Sequence, residues 1–146
     1  MDDIEIRIAT PADVDEVHTL EMRAFPAPWR RDFFESELRA SGRFNLIARR
    51  HGTLIGYLFS MWFFDEMHVN KIAVEQGERR KGIAAELMDK CIRFARANRI
   101  NSISLEVRKS NSGAQEFYKT LDFAASYTRP RYYPDGEAAV VMMKHL

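Results

Sequence analysis

The chain has 146 residues, of which 46% are hydrophobic and 29% are charged, and this composition indicates a folded globular protein rather than a disordered or fibrous one. Its formal net charge of +1 lacks the basic excess that a general nucleic-acid-binding protein needs, so nucleic acid is not an expected partner. The length predicts one domain, residues 1–146, with a buried core.

The start of the chain, its apolar runs, its cysteine and its histidines together predict a cytoplasmic protein with no membrane partner and no metal. The start, Met1-Asp2-Asp3, is acidic where a secretory signal would be basic, and no run approaches the roughly 20 apolar residues of a membrane span. Cys91 is the only cysteine, and its apolar helical neighbours predict a packing thiol rather than a nucleophile. The four histidines show no metal-ligand spacing with one another or with Cys91.

The first half of the chain predicts a strand, two helices and a three-stranded meander. Apolar residues alternate with charged ones over residues 4–8, and the following Thr10-Pro11-Ala12-Asp13 is typical of a helix start. The expected inward residues of the two helices are Val14, Val17, His18 and Met22 in the first, and Phe33, Phe34 and Leu38 in the second. Strands are expected over residues 44–48, 54–64 and about 67–74.

The second half predicts helix, strand, helix and two closing strands. The clearest helix begins at Ile83 and carries a broad apolar stripe that includes Leu87 and Cys91. Residues 102–107 predict a strand, Asn111 predicts the cap of a short helix, and residues 123–128 and 138–143 predict the last strands. This order implies a mixed α/β fold, with a central, mostly antiparallel sheet flanked by helices.

The most informative local motif is the basic turn at residues 79–84, Arg-Arg-Lys-Gly-Ile-Ala, which follows the strand-like run of residues 72–74. The first backbone N–H groups of a helix have no intrahelical partner, and a glycine lets an anion approach the main chain. The turn therefore predicts a phosphate cradle, although a solvated basic loop also fits these residues. A P-loop is excluded because Gly82 is not followed by Lys and then Ser or Thr.

With these elements placed, the sequence resembles the GNAT superfamily of acetyl-CoA-dependent N-acetyltransferases. The superfamily signature, Gln/Arg-x-x-Gly-x-Gly/Ala at a strand-to-helix junction, is matched by Arg79, Gly82 and Ala84. Within the superfamily, the ribosomal-protein-alanine N-acetyltransferase group is similar over nearly the whole chain. The similar segments are 24–26 with Trp29, 72–74, 105–108 with 110–111, 117–123, and 132–134. Asn70-Lys71 departs from the Phe-Asn of the best-known members, near the expected acceptor groove.

The resemblance implies that acetyl-CoA is the donor co-substrate. Its pyrophosphate would lie on the N–H groups of residues 80–85, and its pantetheine arm would pair with residues 72–74 as a further strand would. A backbone N–H at Ile72 or Ala73 would polarise the thioester carbonyl. The implied cofactor-binding residues are Ile72, Ala73, Val74, Arg79, Arg80, Lys81, Gly82, Ile83, Ala84, Ala85, Asn111 and Tyr118.

Two residues are expected to move protons in this reaction. An α-amino group titrates near 8, so part of the acceptor is protonated at neutral pH and needs a base. Glu106 lies on the strand face opposite Leu105 and Val107, which by itself also fits a surface glutamate, and it resembles the family's proton acceptor. Tyr118 has the spacing of a core residue, but the resemblance implies that it protonates the departing CoA thiolate.

The acceptor side is expected to involve aromatic residues. Trp29, Tyr132 and Tyr133 fit packing roles, and the resemblance assigns them to binding of the peptide substrate. His68 lies on the third meander strand and could face the acceptor site, but we interpret it as a satisfied structural histidine.

The predicted function is protein N-α-acetylation by direct amine attack, with an N-terminal alanine of a small-subunit ribosomal protein as acceptor. One alternative is the same chemistry on lysine side chains, small-molecule amines or a wider range of protein N-termini. Another is a regulatory module that binds acetyl-CoA without catalysis. The sequence leaves open whether the protein is a monomer or a weak dimer.

Overall fold

A computed structural model describes residues 3–146, so Met1 and Asp2 of the acidic start lie outside the described residues. The strands are β1 (Ile4–Ile8), β2 (Leu46–Arg50), β3 (Thr53–Phe63), β4 (Glu66–Val74), β5 (Ser102–Arg108), β6 (Ala124–Arg129) and β7 (Ala139–His145). The helices are α1 (Val14–Ala24), α2 (Arg31–Arg39), α3 (Ile83–Ala97) and α4 (Ser112–Thr120), with short 3-10 turns at Pro11–Asp13 and Gln76–Glu78.

The seven strands form one mixed sheet in the order β1-β2-β3-β4-β5-β7-β6. Hairpin connections make β2, β3 and β4 antiparallel neighbours, whereas α3 crosses over from β4 and returns the chain as β5, parallel to β4. Every other neighbouring pair is antiparallel. The predicted mixed, mostly antiparallel sheet flanked by helices is therefore confirmed.

Two hydrophobic cores, one on each face of the sheet, hold the helices in place. Successive residues of β3 alternate between them: Tyr57 and Phe59 pack beneath α1 and α2, whereas Leu58 packs beneath α3 and α4. A strand that is buried on both faces has a continuous apolar sequence, as β3 does. On its face of the sheet, α1 packs on β3 and β4.

Two predicted core positions are wrong. Met22 is 52% exposed and Phe33 is 44% exposed. In α1 the buried stripe runs through Val17, Leu20 and Glu21, and at 100° per residue Met22 lies well away from it. Phe33 packs edge-on against Trp29, with ring centroids 4.6 Å apart, at the surface of the small core that Phe34 enters.

A β-bulge at Asn70 interrupts the alternation of faces along β4. In the register with β3, Val69 pairs with Ser60 and Lys71 pairs with Phe59, so Asn70 is an additional residue on β4. The insertion exchanges the two faces of the strand: Val69 packs beneath α3, whereas Ala73 packs beneath α1 and α2.

Three predictions from the sequence concern the cysteine, membrane spans and metal sites. Cys91 is fully buried on α3, where burial raises the pKa of its thiol to about 12. From residue 3 to residue 146, no helix combines the length and the apolar character that crossing a membrane requires. No group of three or more His, Cys, Asp or Glu side chains in the same region is arranged to hold a metal ion.

Candidate active site

A cleft opens where β4 and β5 separate. The two parallel strands pair only at their starts, from Glu66 with Ser102 to His68 with Ser104. Beyond the bulge at Asn70, β4 remains paired with β3 but no longer with β5. A crevice at the carboxyl ends of parallel strands is a common position for ligands, because backbone groups and loops converge there.

Strand alternation brings His68 and Glu106 together at the base of this cleft. His68 pairs with Ser104, and Glu106 lies two residues further along β5 on the same face. The His68 Nε2 atom lies 2.8 Å from Oε1 and 3.0 Å from Oε2 of Glu106. On the other side of the ring, Nδ1 lies 2.7 Å from Oδ1 of Asn70, the bulge residue.

The pair shifts the titration of both side chains. Burial by itself would raise the pKa of Glu106, but the hydrogen bond and charge of His68, with the charge of Arg129, lower that pKa below its ordinary value. Burial by itself would lower the pKa of His68, but the hydrogen bond and charge of Glu106 raise it above its ordinary value. The structure thus favours an ionised carboxylate beside an imidazole that binds a proton readily.

The loop between β6 and β7 brings the tyrosine pair to this carboxylate. The Tyr132 hydroxyl donates a hydrogen bond to Glu106 Oε1 over 3.4 Å. The guanidinium carbon of Arg108 lies 4.1 Å from the centroid of the Tyr133 ring. Arg108 also forms ion pairs with Asp135 and Glu137 of the same loop. These contacts fix the loop beside the end of β5.

The basic turn lies at the amino terminus of α3, after the 3-10 turn that follows β4. Gly82 has φ +82° and Arg80 has φ +64°, so the chain is left-handed at both positions immediately before the helix. A cavity of about 240 Å³ opens at this point. Its lining residues are Val74, Glu78, Arg79, Arg80, Gly82, Ile83, Ala84, Ala85 and Phe117.

The basic side chains of the turn differ in their contacts. Arg79 donates from Nε to the Val74 carbonyl over 3.3 Å, which ties the turn to the end of β4. Lys81 lies 3.5 Å from Glu78 and is half exposed. Ile72, Ala73 and Val74 follow the bulge on β4, along the edge that no longer pairs with β5.

Tyr118 is buried on α4 and has an unpaired hydroxyl. The residue is 6% exposed, and its ring packs edge-on against Phe117 and Phe123. None of residues 3–146 forms a hydrogen bond with its hydroxyl, yet no side-chain polar atom in that range is both fully buried and unsatisfied. The hydroxyl is therefore not fully buried, and burial of the side chain with the charge of Tyr133 raises its pKa to about 12.

Two of the predicted site residues, Asn111 and Trp29, also have structural partners. Asn111 accepts a hydrogen bond from the Ala114 N–H over 3.0 Å, which confirms the predicted helix cap. The Trp29 ring packs against Phe34, and the Nζ atom of Lys71 lies over the same Trp29 ring, 4.6 Å from its centroid. No hydrogen bond or ring contact within residues 3–146 joins Trp29 to Glu106 or to the tyrosine pair.

Comparison with known proteins identifies the class to which this cleft belongs. The model of the acetyltransferase (GNAT) family matches residues 14–123, more than half of the chain. The chain belongs to the acetyltransferase (GNAT) family. The expected fold and the expected class of enzyme, an acetyl-CoA-dependent N-acetyltransferase, are therefore confirmed.

Several proteins similar to this GNAT chain have names that describe acetylation of protein N-termini. It is 30% identical to a putative ribosomal protein bS18-alanine N-acetyltransferase of Bacillus subtilis, over 89% of this chain and 87% of that protein. It is 30% identical to an N-alpha-acetyltransferase of Caenorhabditis elegans, over 98% of this chain and 83% of that protein. The crystal structure of the ribosomal-protein-S18-alanine N-acetyltransferase from Escherichia coli superposes with a TM-score of 0.92 at 27% identity, covering 97% and 93% of the two chains.

The sequence analysis of this GNAT chain missed the partners of Glu106. The sequence predicts a structural role for His68, and the imidazole does have two hydrogen-bond partners, but one of them is the predicted base, Glu106. From the sequence, Asn70 stands out only as part of the Asn70-Lys71 departure near the expected acceptor groove, and nothing marks Arg129. The alternation of β4 could have placed His68 on the face opposite Met67 and Val69, but only the register with β5 brings that face to Glu106.

Proposed function

We propose that this GNAT enzyme transfers the acetyl group of acetyl-CoA to the N-terminal amine of a protein, with an N-terminal alanine of a small-subunit ribosomal protein as acceptor. The observation that carries the proposal is the position of Glu106, an ionised carboxylate in the cleft where β4 has an unpaired edge. The names of the relatives support the choice of a protein N-terminus and of alanine.

Acetyl-CoA would lie along the unpaired part of β4 and end at α3. The free N–H groups of residues 80–85 suit the pyrophosphate, since they combine unpaired donors with the positive end of the helix dipole. Ile72, Ala73 and Val74 offer a strand edge to the amides of the pantetheine arm. An N–H of this edge is suited to stabilise the oxyanion that develops on the thioester carbonyl.

Glu106 would accept the proton of the acceptor amine, directly or through one water. The freed lone pair attacks the thioester carbonyl carbon, a C–N bond forms, and the C–S bond breaks as the tetrahedral oxyanion collapses. The nitrogen then releases a second proton, which balances the one that Tyr118 gives to the thiolate. Tyr132 and Tyr133 lie on the loop beside Glu106, where they are placed to cover the first residues of a peptide.

Tyr118 would protonate the departing CoA thiolate. Its hydroxyl has no protein partner and is neutral at physiological pH, since its pKa is raised to about 12. A neutral, unpaired hydroxyl in a buried site is available to donate its proton to a ligand. No acyl-enzyme is expected, because the only cysteine is a buried thiol on α3.

A peptide panel tests the acceptor. The protein is incubated with acetyl-CoA and peptides that differ only in their first residues, with a lysine peptide of blocked N-terminus as comparison, and the acetyl group is located by mass spectrometry. We expect acetylation of the α-amine with a preference for alanine. Acetylation of lysine alone, or acetyl-CoA binding without any product, would contradict the proposal.

The roles of the two proton-transfer residues can be tested by Glu106→Gln and Tyr118→Phe. Each removes a positioned acid or base, so we expect kcat to fall by about 10²- to 10⁴-fold while the Kd for acetyl-CoA changes little. Glu116→Gln, on the exposed surface of α4, is the matched control and should retain the parent kcat. Parent rates for both site variants would exclude these roles.

A further inference from the structure

We propose that His68 and Glu106 accept the proton of the acceptor amine as one unit, with Asn70 fixing the imidazole. His68 acts through Glu106 and is therefore a positioning residue. The inference rests on the proposed function, because it extends the role of Glu106 in that reaction. The proposal is based on the geometry of these side chains. Nε2 of His68 faces both carboxylate oxygens of Glu106, and Nδ1 faces the side chain of the bulge residue Asn70.

Asn70 determines which nitrogen of the ring takes the proton. Its Oδ1 atom lies 2.7 Å from Nδ1 and can only accept, so this orientation of the amide favours the tautomer of neutral His68 with its hydrogen on Nδ1. In neutral His68 the lone pair of Nε2 then faces the Glu106 carboxylate, 2.8 Å away. A proton between these two atoms removes that repulsion, so the pair has a strong tendency to bind one.

The proton can therefore be followed through the unit. The N–H bond of the acceptor ammonium breaks and its electrons remain on nitrogen as the attacking lone pair. The proton passes to a carboxylate oxygen of Glu106, and Nε2 of neutral His68 takes a proton across the hydrogen bond. The unit changes from a net charge of −1 to zero, and the carboxylate ends the step ionised.

The groups that face the unit support a proton acceptor near neutral pH. Glu106 raises the pKa of His68, whereas the guanidinium of Arg129, 3.9 Å from Glu106, opposes this rise. Tyr132 donates a hydrogen bond to the carboxylate, and Tyr133 lies beside it on the same loop. Against the effect of burial, His68 and Arg129 lower the pKa of Glu106, so within the pair the proton rests on the imidazole rather than on the carboxylate. A base works best when its pKa lies near the working pH, which the imidazole satisfies.

The first measurement is the titration of His68 by NMR, with its resonance assigned by comparison with His68→Gln. We expect a midpoint above the ordinary histidine value of about 6.5 in the parent protein. In Glu106→Gln the midpoint should fall by at least one pH unit, since burial then acts without the carboxylate. An unchanged midpoint would overturn the inference, whether or not any peptide is acetylated.

The second measurement is the pH profile of kcat at saturating acetyl-CoA and peptide. His68→Gln should lower the plateau about tenfold and move the acidic limb to lower pH, because Glu106 then titrates alone. His145→Gln, at the far end of β7, is the matched control and should retain the parent profile. All variants are assayed with the same peptide, so titration of the peptide's α-amine affects the acidic limb of every profile equally.

The outcomes separate this inference from the proposed function. A uniform loss of kcat at every pH in His68→Gln would indicate a merely structural histidine and would overturn the inference. An unchanged profile in His68→Gln together with a large loss in Glu106→Gln would also overturn it, but would leave Glu106 as the base. Parent rates in both variants would overturn the inference and the role of Glu106 as the base, while acetylation of the peptide N-terminus itself would still stand.

Discussion

Gly82 shows how a single residue shapes the donor site. Its φ of +82° is left-handed, a conformation that costs an L-residue roughly 1–2 kcal/mol, and it lies immediately before the free N–H groups of α3. A side chain there would either strain the turn or change the direction of those groups. The backbone conformation thus favours glycine at this position of the motif, independently of any ligand.

The prediction at this scale is that Gly82→Ala weakens acetyl-CoA binding. Converting about 1 kcal/mol of strain into affinity gives a five- to tenfold increase in Kd, measured by calorimetry. Gly77→Ala is the control, because it lies in the preceding 3-10 turn and an added Cβ would have no atom within 4 Å. Equal Kd values for the two variants would show that the left-handed turn is not needed.

At the scale of elements, a buried ion pair attaches α1 to the sheet. Glu21 of α1 is fully buried and receives hydrogen bonds from the Tyr57 hydroxyl and from the Trp29 N–H, the latter over 3.0 Å. Lys71 of β4 supplies the counter-charge, with its Nζ 2.9 Å from Glu21 Oε2. The same ammonium lies over the Phe25 ring, so the segment after α1 is fixed to β4.

We therefore expect Lys71→Met to destabilise the protein by about 3 kcal/mol, because it leaves a buried carboxylate without its cation. Urea unfolding provides the measurement. Arg93→Met is the control, since Arg93 pairs with Asp89 on the exposed surface of α3 and should cost less than about 1 kcal/mol. Similar losses in the two variants would mean that burial does not strengthen the Glu21 pair.

At the scale of the whole molecule, the cleft divides the sheet into two parts. Strands β1 to β4 carry α1 and α2, whereas β5, β7 and β6 carry Glu106 and the tyrosine loop. The parts are joined by three paired positions between β4 and β5. In the proposed function, donor and acceptor meet between these two parts.

This division predicts where hydrogen exchange responds to acetyl-CoA. In antiparallel pairing, alternate amides of β4 point away from β3, and beyond Val69 these face the cleft. We expect acetyl-CoA to slow exchange over residues 70–74 and 80–85, measured by mass spectrometry, while the edge strand β6 is unaffected. Protection spread evenly over the chain, or absent from both segments, would contradict this binding mode.

The sequence itself determined the elements and the donor motif. Apolar periodicity, a cap at Asn111 and the glycine turn are local signals, because they depend on neighbours within one or two helical turns. The same locality explains the errors at Met22 and Phe33, which are apolar but lie off the buried stripe or pack against a surface ring.

Only the tertiary structure decided what Glu106 meets. His68 lies 38 residues away in the chain, and its contact depends on the parallel register of β4 and β5 and on the bulge at Asn70. Register between strands is set by long-range pairing and burial, which leave no mark at any single position. The sequence therefore indicated a proton acceptor, and the fold placed an imidazole beside it.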